Sequence, residues 1–466
     1  MSTISKYGML HLGLGSFHRA HQAVYLHQLQ QLGDRTWTLT GGNIRAGMDD
    51  TIAALQKQHG AYTLETVTPQ GEHQYTRVES IQTVLPYAPG VPELVNCGAD
   101  AATRIISFTV TEAGYYFDAQ NHLDAGAADI VDDLHSAHQQ RAGQTIYGAL
   151  AAILRQRMLR QSGPVTLLNC DNLRHNGDRA RTGLLEFIAL IQDTPLYQWV
   201  QTNTSCPNAM VDRITPRPTA DVALRVKAAT GWDDQAAVMG ESFIQWVIED
   251  NFVAGRPAWE KVGVQMVASV APYEEAKIRL LNATHSCIAW AGTLAGYTYI
   301  HEGCLDKQIR QLAFDYVTND TIPVLLPSPI DLAKYRDVVL DRFANPSIAD
   351  TNQRVAMDGF SKIPGFIAPT VRERLARNQS VDSVAVLPAL FLAYLHQWHR
   401  NAIAYTYQDQ AMNPQHAHAI CDAPDTVAAF CHNDVLWGDL KDNTHLVKAV
   451  RSAYNKIKNS TKAHSP

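Results

Sequence analysis

No Cys-x-x-Cys pair occurs in this sequence, and its seven cysteines (Cys97, Cys170, Cys206, Cys287, Cys304, Cys421 and Cys431) are scattered and odd in number. That pattern excludes an ordered disulfide framework and points to reduced thiols, used as small buried hydrophobes in a cytoplasmic protein. Long apolar runs are also missing. The longest, Val384 to Leu395, is broken by Pro388 and falls well short of the roughly 20 residues needed to span a bilayer, so no membrane partner is expected. Basic surplus is absent too: 39 Lys and Arg against 45 Asp and Glu leave a formal charge of −6, so no nucleic-acid partner is expected. Neither a Gly-x-Ser-x-Gly elbow, nor a Walker loop, nor a His-Glu-x-x-His pair is present, and no metal is expected. His416, His418, Cys421, Cys431 and His432 lack any organising metal-ligand spacing and read as a solvated loop with an adjoining helix. The N-terminus runs straight into a glycine turn, with no room for a signal peptide. Internal repeats and low-complexity tracts are lacking, and only the tail from Lys458 onward reads as frayed.

What remains is an ordinary well-cored chain. Its 466 residues exceed one usual domain, and 46% hydrophobic with 18% charged residues describe a soluble globular protein. The first half alternates β-rich and helical patterns: "MLHL", a helix from Arg19 to Gly33, "TWTLTGG", "RIISFTVTEAGY" from Arg104 to Tyr115, and "PVTLLNCDN" from Pro164 to Asn172. β-rich runs that end in polar residues are expected where ligands bind at the carboxyl ends of parallel strands. From about Pro272 long helical patterns take over. The expectation is an α/β protein with a Rossmann-type dinucleotide-binding domain over residues 1–270 and a second, predominantly α-helical domain over 271–466.

At the nucleotide end, Gly13 and Gly15 follow the first strand and precede a helix, the arrangement that makes a tight turn and lets backbone approach a pyrophosphate. The third glycine position holds His18, so the fingerprint is incomplete. The second strand ends at Gly41-Gly42-Asn43 without the acid that commonly holds ribose hydroxyls; Asp49 and Asp50 are the nearest. Arg45 is read either as a 2′-phosphate ligand or as a solvated charge.

At the chemical end, Glu274, Lys277, Asn282 and His285 fall within an arc of about 140° when the stretch is drawn as a helix at ~100° per residue. A solvated stripe and a substrate-facing surface both fit that arc. "NCDNLRHNG" (Asn169 to Gly177), "VDRITP" (Val211 to Pro216) and "RVAMDGFSKIP" are further polar groupings, each read alone as turn chemistry or as a site. Tyr454 and Lys458 show the spacing of a short-chain dehydrogenase pair, but so far from any Rossmann strand that the match is a coincidence.

Together, "GLGSFHRAHQ", "TVTEAGY", "NCDNLRHNG", "VDRITP", "WVIEDNF", "GRPAWEKVGVQ", "PYEEAKIRLLNATHS" and "RVAMDGFSKIP" resemble, in order, the motifs of the polyol-specific long-chain dehydrogenases. That family includes D-arabinitol 4-dehydrogenases, mannitol 2-dehydrogenases and uronate reductases. The resemblance implies Lys277 as acid–base, Asn172 and Asn282 as an oxyanion hole, His285 as substrate-orienting group, and Glu274 as proton relay. It implies Asp212, Arg354 and Lys362 as contacts to substrate hydroxyls, and no metal. The cofactor contacts expected are Gly13, Leu14, Gly15, Ser16, Phe17, Asn43, Arg45, Asp49 and Thr111. The cofactor is NAD, with NADP open because Met48 stands where the family carries a glutamate. Phe360 replaces a small residue and is expected to reshape the pocket near Lys362. To accept the alcohol proton Lys277 must be neutral, with its pKa well below the ~10.4 reference. The short N-terminus favours D-arabinitol oxidised to D-xylulose; mannitol to fructose, or fructuronate reduction, is the alternative. A nucleotide-sensing protein without activity is the remote one. A monomer is expected.

Overall fold

The computed structural model describes residues 6–118 and 120–462. By its internal contacts the chain divides into two compact units, Met1–Thr68 with Glu72–Ala271, and Pro69–Gly71 with Pro272–Pro466.

The first unit contains the strands β1 (Tyr7–Leu12), β2 (Trp37–Gly42), β3 (Tyr62–Val67), β4 (His73–Val78), β5 (Ile81–Leu85) and β6 (Thr103–Phe108). Then follow β7 (Val165–Asn169), β8 (Thr204–Ser205), β9 (Ala209–Asp212), β10 (Val238–Glu241), β11 (Gln245–Glu249) and β12 (Gln265–Val267). Its main sheet is parallel in the order β5-β2-β1-β6-β7-β8. Counted along the chain, that is the succession of a doubly wound dinucleotide fold, with its switch point between β1 and β6. β7, "VTLLN", is buried along its whole length, as a strand covered on both faces must be. Two three-stranded sheets, β10-β3-β4 and β12-β11-β9, complete the unit.

Two local expectations are corrected. The helix expected from Arg19 to Gly33 is two helices, Ser16–Ala20 and Gln22–Gln31, broken at His21 (φ −129, ψ −88), whose Nε2 donates to the Gln245 carbonyl at 2.8 Å. The strand expected from Arg104 to Tyr115 stops at Phe108. The Asp171 carboxylate takes the amides of Val110 and Thr111, drawing the chain off the ladder, and Glu112–Tyr115 coils into a 3₁₀ turn.

The second unit is helical. At its centre one continuous rod runs as α-helix over Ala271–Ala276, π-helix over Lys277–Asn282 and α-helix over Ala283–Leu294. The last segment packs against Ile300–Leu305, Lys307–Tyr316, Asn352–Ala356 and Val386–His399, so it is apolar on nearly every side. Trp290 anchors it: its ring tilts against Phe391 at 4.9 Å and its Nε1 donates to the Ala356 carbonyl at 3.1 Å. The apolar run around Pro388 is a core helix in which the proline sits in the first turn, where no intrahelical N–H is lost. Among the described residues, no helix is long and apolar enough to cross a membrane. The tail read as frayed is helical through Lys462; its last residues lie outside the described ones.

Candidate active site

The nucleotide turn sits at the carboxyl end of β1. Gly13 adopts φ +107, and a Cβ there would lie 2.3 Å from the Thr109 carbonyl, so only glycine fits. Gly15 faces open space, leaving its backbone approachable. Asn43 braces the turn by accepting the Leu14 amide at 2.8 Å, and the Leu14 side chain fills the core under Gly41. Leu14 and Asn43 thus shape the turn, Leu14 through its backbone. A cavity of about 320 Å³ opens beside it at the ends of β1, β2 and β6, lined among others by Gly13, Asn43, Arg45, Met48 and Thr111. Ser16, Phe17 and Asp49 lie outside that lining; Phe17 stacks on His21 at 5.0 Å and Asp49 opens the helix Asp49–Lys57. A glycine turn with an open approach, next to a cavity at the switch point, fits a dinucleotide.

Under the turn lies a histidine pair that sequence reading left unexplained. His11 Nε2 donates to the Gly13 carbonyl at 3.0 Å, its Nδ1 accepts from Ser107 Oγ at 2.8 Å, and its ring stacks on His18 at 3.4 Å. Burial depresses His11 to about 3, against the smaller pull of the Gly13 carbonyl, and burial followed by the neighbouring His11 depresses His18 well below its usual value. Both rings are therefore neutral at neutral pH. Because the folded pKa lies below the unfolded one, this stability is complete above about pH 6.5 and is lost as pH falls towards 3. We expect a loss of about 1.4 kcal/mol per pH unit per proton taken up, visible between about pH 6.5 and 4.5 before most carboxylates titrate. Urea midpoints measured across that window check it, and His11→Asn should flatten the slope. A midpoint independent of pH there would contradict the neutral pair.

Asn172 stands exposed after β7, where "NCDN" had drawn notice. Its neighbours are structural. Asn176, fully buried, donates to the Asp171 and Ala209 carbonyls at 3.0 and 2.7 Å, and Asp171 accepts the Val110 and Thr111 amides at 2.9 and 3.1 Å together with the Tyr115 hydroxyl. This holds Thr111 at φ +68 and ψ 162, a region costing a β-branched residue about 1–3 kcal/mol, on the cavity wall. Asp171 carried no expectation from sequence, although a carboxylate between two site-type asparagines was the available signal. Asp212, the last residue of β9, is buried opposite Gln245.

On the rod of the second unit, Lys277 and Glu274 are 6% and 5% exposed. A buried amine and carboxylate one turn apart are not a solvated stripe. Leu280 and Leu281 are in the core. The π segment also corrects the helical wheel. The amide of Ala283 bonds the Ile278 carbonyl five residues back, and in that register residues five apart come nearly in line. Lys277 and Asn282, the two edges of the α-helical arc, are thereby drawn together. Tyr316 stabilises the widened turn: its buried hydroxyl lies 3.3 Å from both the Arg279 and the Leu280 carbonyl and accepts from Thr284 Oγ1 at 2.7 Å. Two further π turns, Val317–Thr321 and Ile363–Ile367, pack against this one. The second contains Pro364, which has no amide for an α-helical bond.

His285, Arg354 and Lys362 gather around a carboxylate that sequence reading missed, Asp350. His285 Nε2 lies 3.2 Å from its Oδ2, Arg354 Nε donates to its Oδ1 at 2.6 Å, and the His285 ring stacks on Phe343 at 4.3 Å. Against the burial that raises it, bonds from His285 and Arg354 hold the Asp350 carboxyl well below the usual range. Burial lowers His285, so the ring is neutral at neutral pH. Asp350 precedes Arg354 by four residues, a spacing that signals an ion pair on a helical turn. Lys362 donates to the Val355 carbonyl at 2.6 Å, and burial lowers it to about 8. Phe360, two residues before Lys362, is 2% exposed and packs edge-on against Phe391. His418, in the histidine-rich stretch, stacks on Trp398 at 4.5 Å.

Residues 7–261 match the family described as Mannitol dehydrogenase Rossmann domain, and residues 269–458 match Mannitol dehydrogenase C-terminal domain. The chain is 60% identical over 452 residues to D-arabinitol 4-dehydrogenase of Ralstonia nicotianae, covering 96% of both chains. It is 52% identical over 447 residues to D-arabinitol 4-dehydrogenase of Klebsiella pneumoniae, covering 96% of this chain and 97% of that one. The solved Pseudomonas fluorescens mannitol 2-dehydrogenase, a ternary complex with NAD and D-mannitol, matches with TM-score 0.82 and 33% identity, covering 99% of this chain and 94% of that chain.

Proposed function

Because the chain belongs to the mannitol dehydrogenase family and is a polyol dehydrogenase, we propose that it oxidises D-arabinitol to D-xylulose with NAD as the hydride acceptor. The observation that carries the chemistry is the burial of Lys277, which opens a π turn ending at Asn282, and of Glu274 in the α-helical turn before it. The identity to two D-arabinitol 4-dehydrogenases over nearly the whole chain supports the substrate. Residues 1–270 hold the dinucleotide and 271–466 supply the acid–base group. Seven free thiols support a reducing, cytoplasmic setting, and we assign a monomer.

NAD, when bound, supplies the nicotinamide C4 that takes the hydride. The neutral amine of Lys277 accepts the hydroxyl proton as the C–H bond breaks, and Glu274 passes that proton to water. Asn282 and Asn172 donate amide hydrogens to the oxygen as charge develops on it, and neutral His285, fixed by Asp350, orients the substrate. Asp212, Arg354 and Lys362 bind the remaining hydroxyls. Asp350 already compensates the Arg354 charge, which favours a neutral polyol over an anionic uronate.

Absorbance at the reduced-nicotinamide band tests this. D-arabinitol, D-mannitol and D-sorbitol are assayed as oxidation substrates and fructuronate in the reducing direction, each with NAD and NADP. D-arabinitol with NAD is expected to give the highest kcat/KM. A higher value for D-mannitol moves the substrate assignment, and no turnover with any substrate supports a nucleotide-sensing protein.

A further inference from the structure

Resting on the dinucleotide site above, one further assignment concerns how that site distinguishes its cofactors. Arg45 is the only ionised side chain among the described residues that line the cavity of about 320 Å³. It follows β2, where a doubly wound fold places either an acid for the ribose hydroxyls or an arginine for a 2′-phosphate. Here no acid occurs between Gly42 and Met48, and the arginine stands in the phosphate-binding place. Taken alone, that arrangement would select the phosphorylated cofactor.

The guanidinium is already engaged. Its Nε donates to the Gln144 carbonyl at 2.9 Å, and its Nη2 donates to the Tyr116 hydroxyl at 2.5 Å and to Asp129 Oδ2 at 2.8 Å. The Tyr116 hydroxyl in turn donates to the same Asp129 oxygen, closing a three-membered ring of contacts. Asp129 lies in the first turn of the helix Ala128–His138, where a carboxylate is favoured, so the counter-ion is itself well placed. Arg45, on the cavity wall, and Asp129, beyond its lining, have side chains 46% and 48% exposed, so a ligand can reach the pair.

We propose that Arg45, Tyr116 and Asp129 form the cofactor-selectivity device of this enzyme. Asp129 sets a counter-charge against Arg45 and, with Tyr116, takes the Nη2 hydrogens, leaving only Nη1 of the guanidinium to a 2′-phosphate. A phosphate entering here would meet the Asp129 carboxylate, and like charges at that range repel. The unphosphorylated ribose carries no such penalty, and Tyr116 stays available as a neutral hydroxyl partner. NAD is thus selected by masking an arginine rather than by an acid at the tip of β2.

Isothermal titration of the full chain with NAD and with NADP tests this without reference to turnover. The wild type is expected to bind NAD more tightly. In Asp129→Asn the ratio of NADP to NAD affinity should rise roughly tenfold or more, the yield of freeing a charge-assisted pair for phosphate. Asp129→Ser should shift it the same way, and the double variant Arg45→Ala/Asp129→Asn should return the ratio towards the wild type. A carboxylate that merely supported the loop would weaken both cofactors alike and leave the ratio in place, which would overturn the assignment. A wild type that prefers NADP would overturn it also. If the wild type binds neither dinucleotide, the site reading fails together with it, whereas NAD binding with an unmoved ratio in both Asp129 variants removes this inference alone.

Discussion

Replacing Lys277 by alanine is expected to lower the turnover of polyol oxidation by roughly 10⁴-fold, the upper range for loss of a general base, with NAD affinity unchanged within about twofold. Lys277 lies 6% exposed inside the π turn, so its amine is removed from bulk water and held by the rod rather than by a loop. Lys277→Arg should be equally poor, because a guanidinium stays protonated and cannot accept a proton. Lys362 is the rival. Burial lowers it to about 8, so it too carries a fraction of neutral amine at mildly alkaline pH. The two are separated by pH profiles of kcat. If Lys277 is the base, Lys362→Met slows the enzyme yet preserves the alkaline rise, while Lys277→Ala abolishes it. Near-normal turnover in Lys277→Ala, with the rise lost instead in Lys362→Met, would transfer the role to Lys362.

The second large effect is expected at Asn282. Asn282→Ala should reduce kcat by ~10²–10³-fold, the loss typical of one oxyanion donor, with a smaller change in KM. Alanine has the higher helix propensity, so the variant should melt no lower than the parent. That control separates a catalytic amide from a structural one. Asn282→Asp should be at least as slow, since a carboxylate repels the developing alkoxide. Comparable turnover in the alanine variant would make the amide a helix-surface group and leave the charge to be held elsewhere.

The contrast between these two residues shows where sequence reading reaches and stops. Periodicity placed Glu274, Lys277, Asn282 and His285 on one arc but left it balanced between a wet edge and a site. A regular helix put Lys277 and Asn282 at opposite limits of that arc, and the π register, absent from any propensity scale, narrows the angle between them. The register depends on Tyr316, whose hydroxyl reaches carbonyls 37 and 36 positions earlier in the chain. Nothing in "KIRLLNATHS" announces it. Likewise Arg45 was legible as a cation after β2, yet the partners it bonds, Tyr116 and Asp129, stand 71 and 84 positions away.

Local chemistry is what the sequence determined by itself. The Gly13 turn after an apolar strand, the alternation that yields a doubly wound sheet, the helical second half and the order of the polyol dehydrogenase motifs all follow from short-range pattern. The tertiary structure alone decided which polar groups lose their water and which charges find counter-ions. It buried Lys277 and Glu274, set His285 and Arg354 on Asp350, held Thr111 in a strained backbone through Asp171, and paired Arg45 with Asp129. Burial and ion pairing are sums over distant segments packed together, so they have no signature in any one stretch of chain.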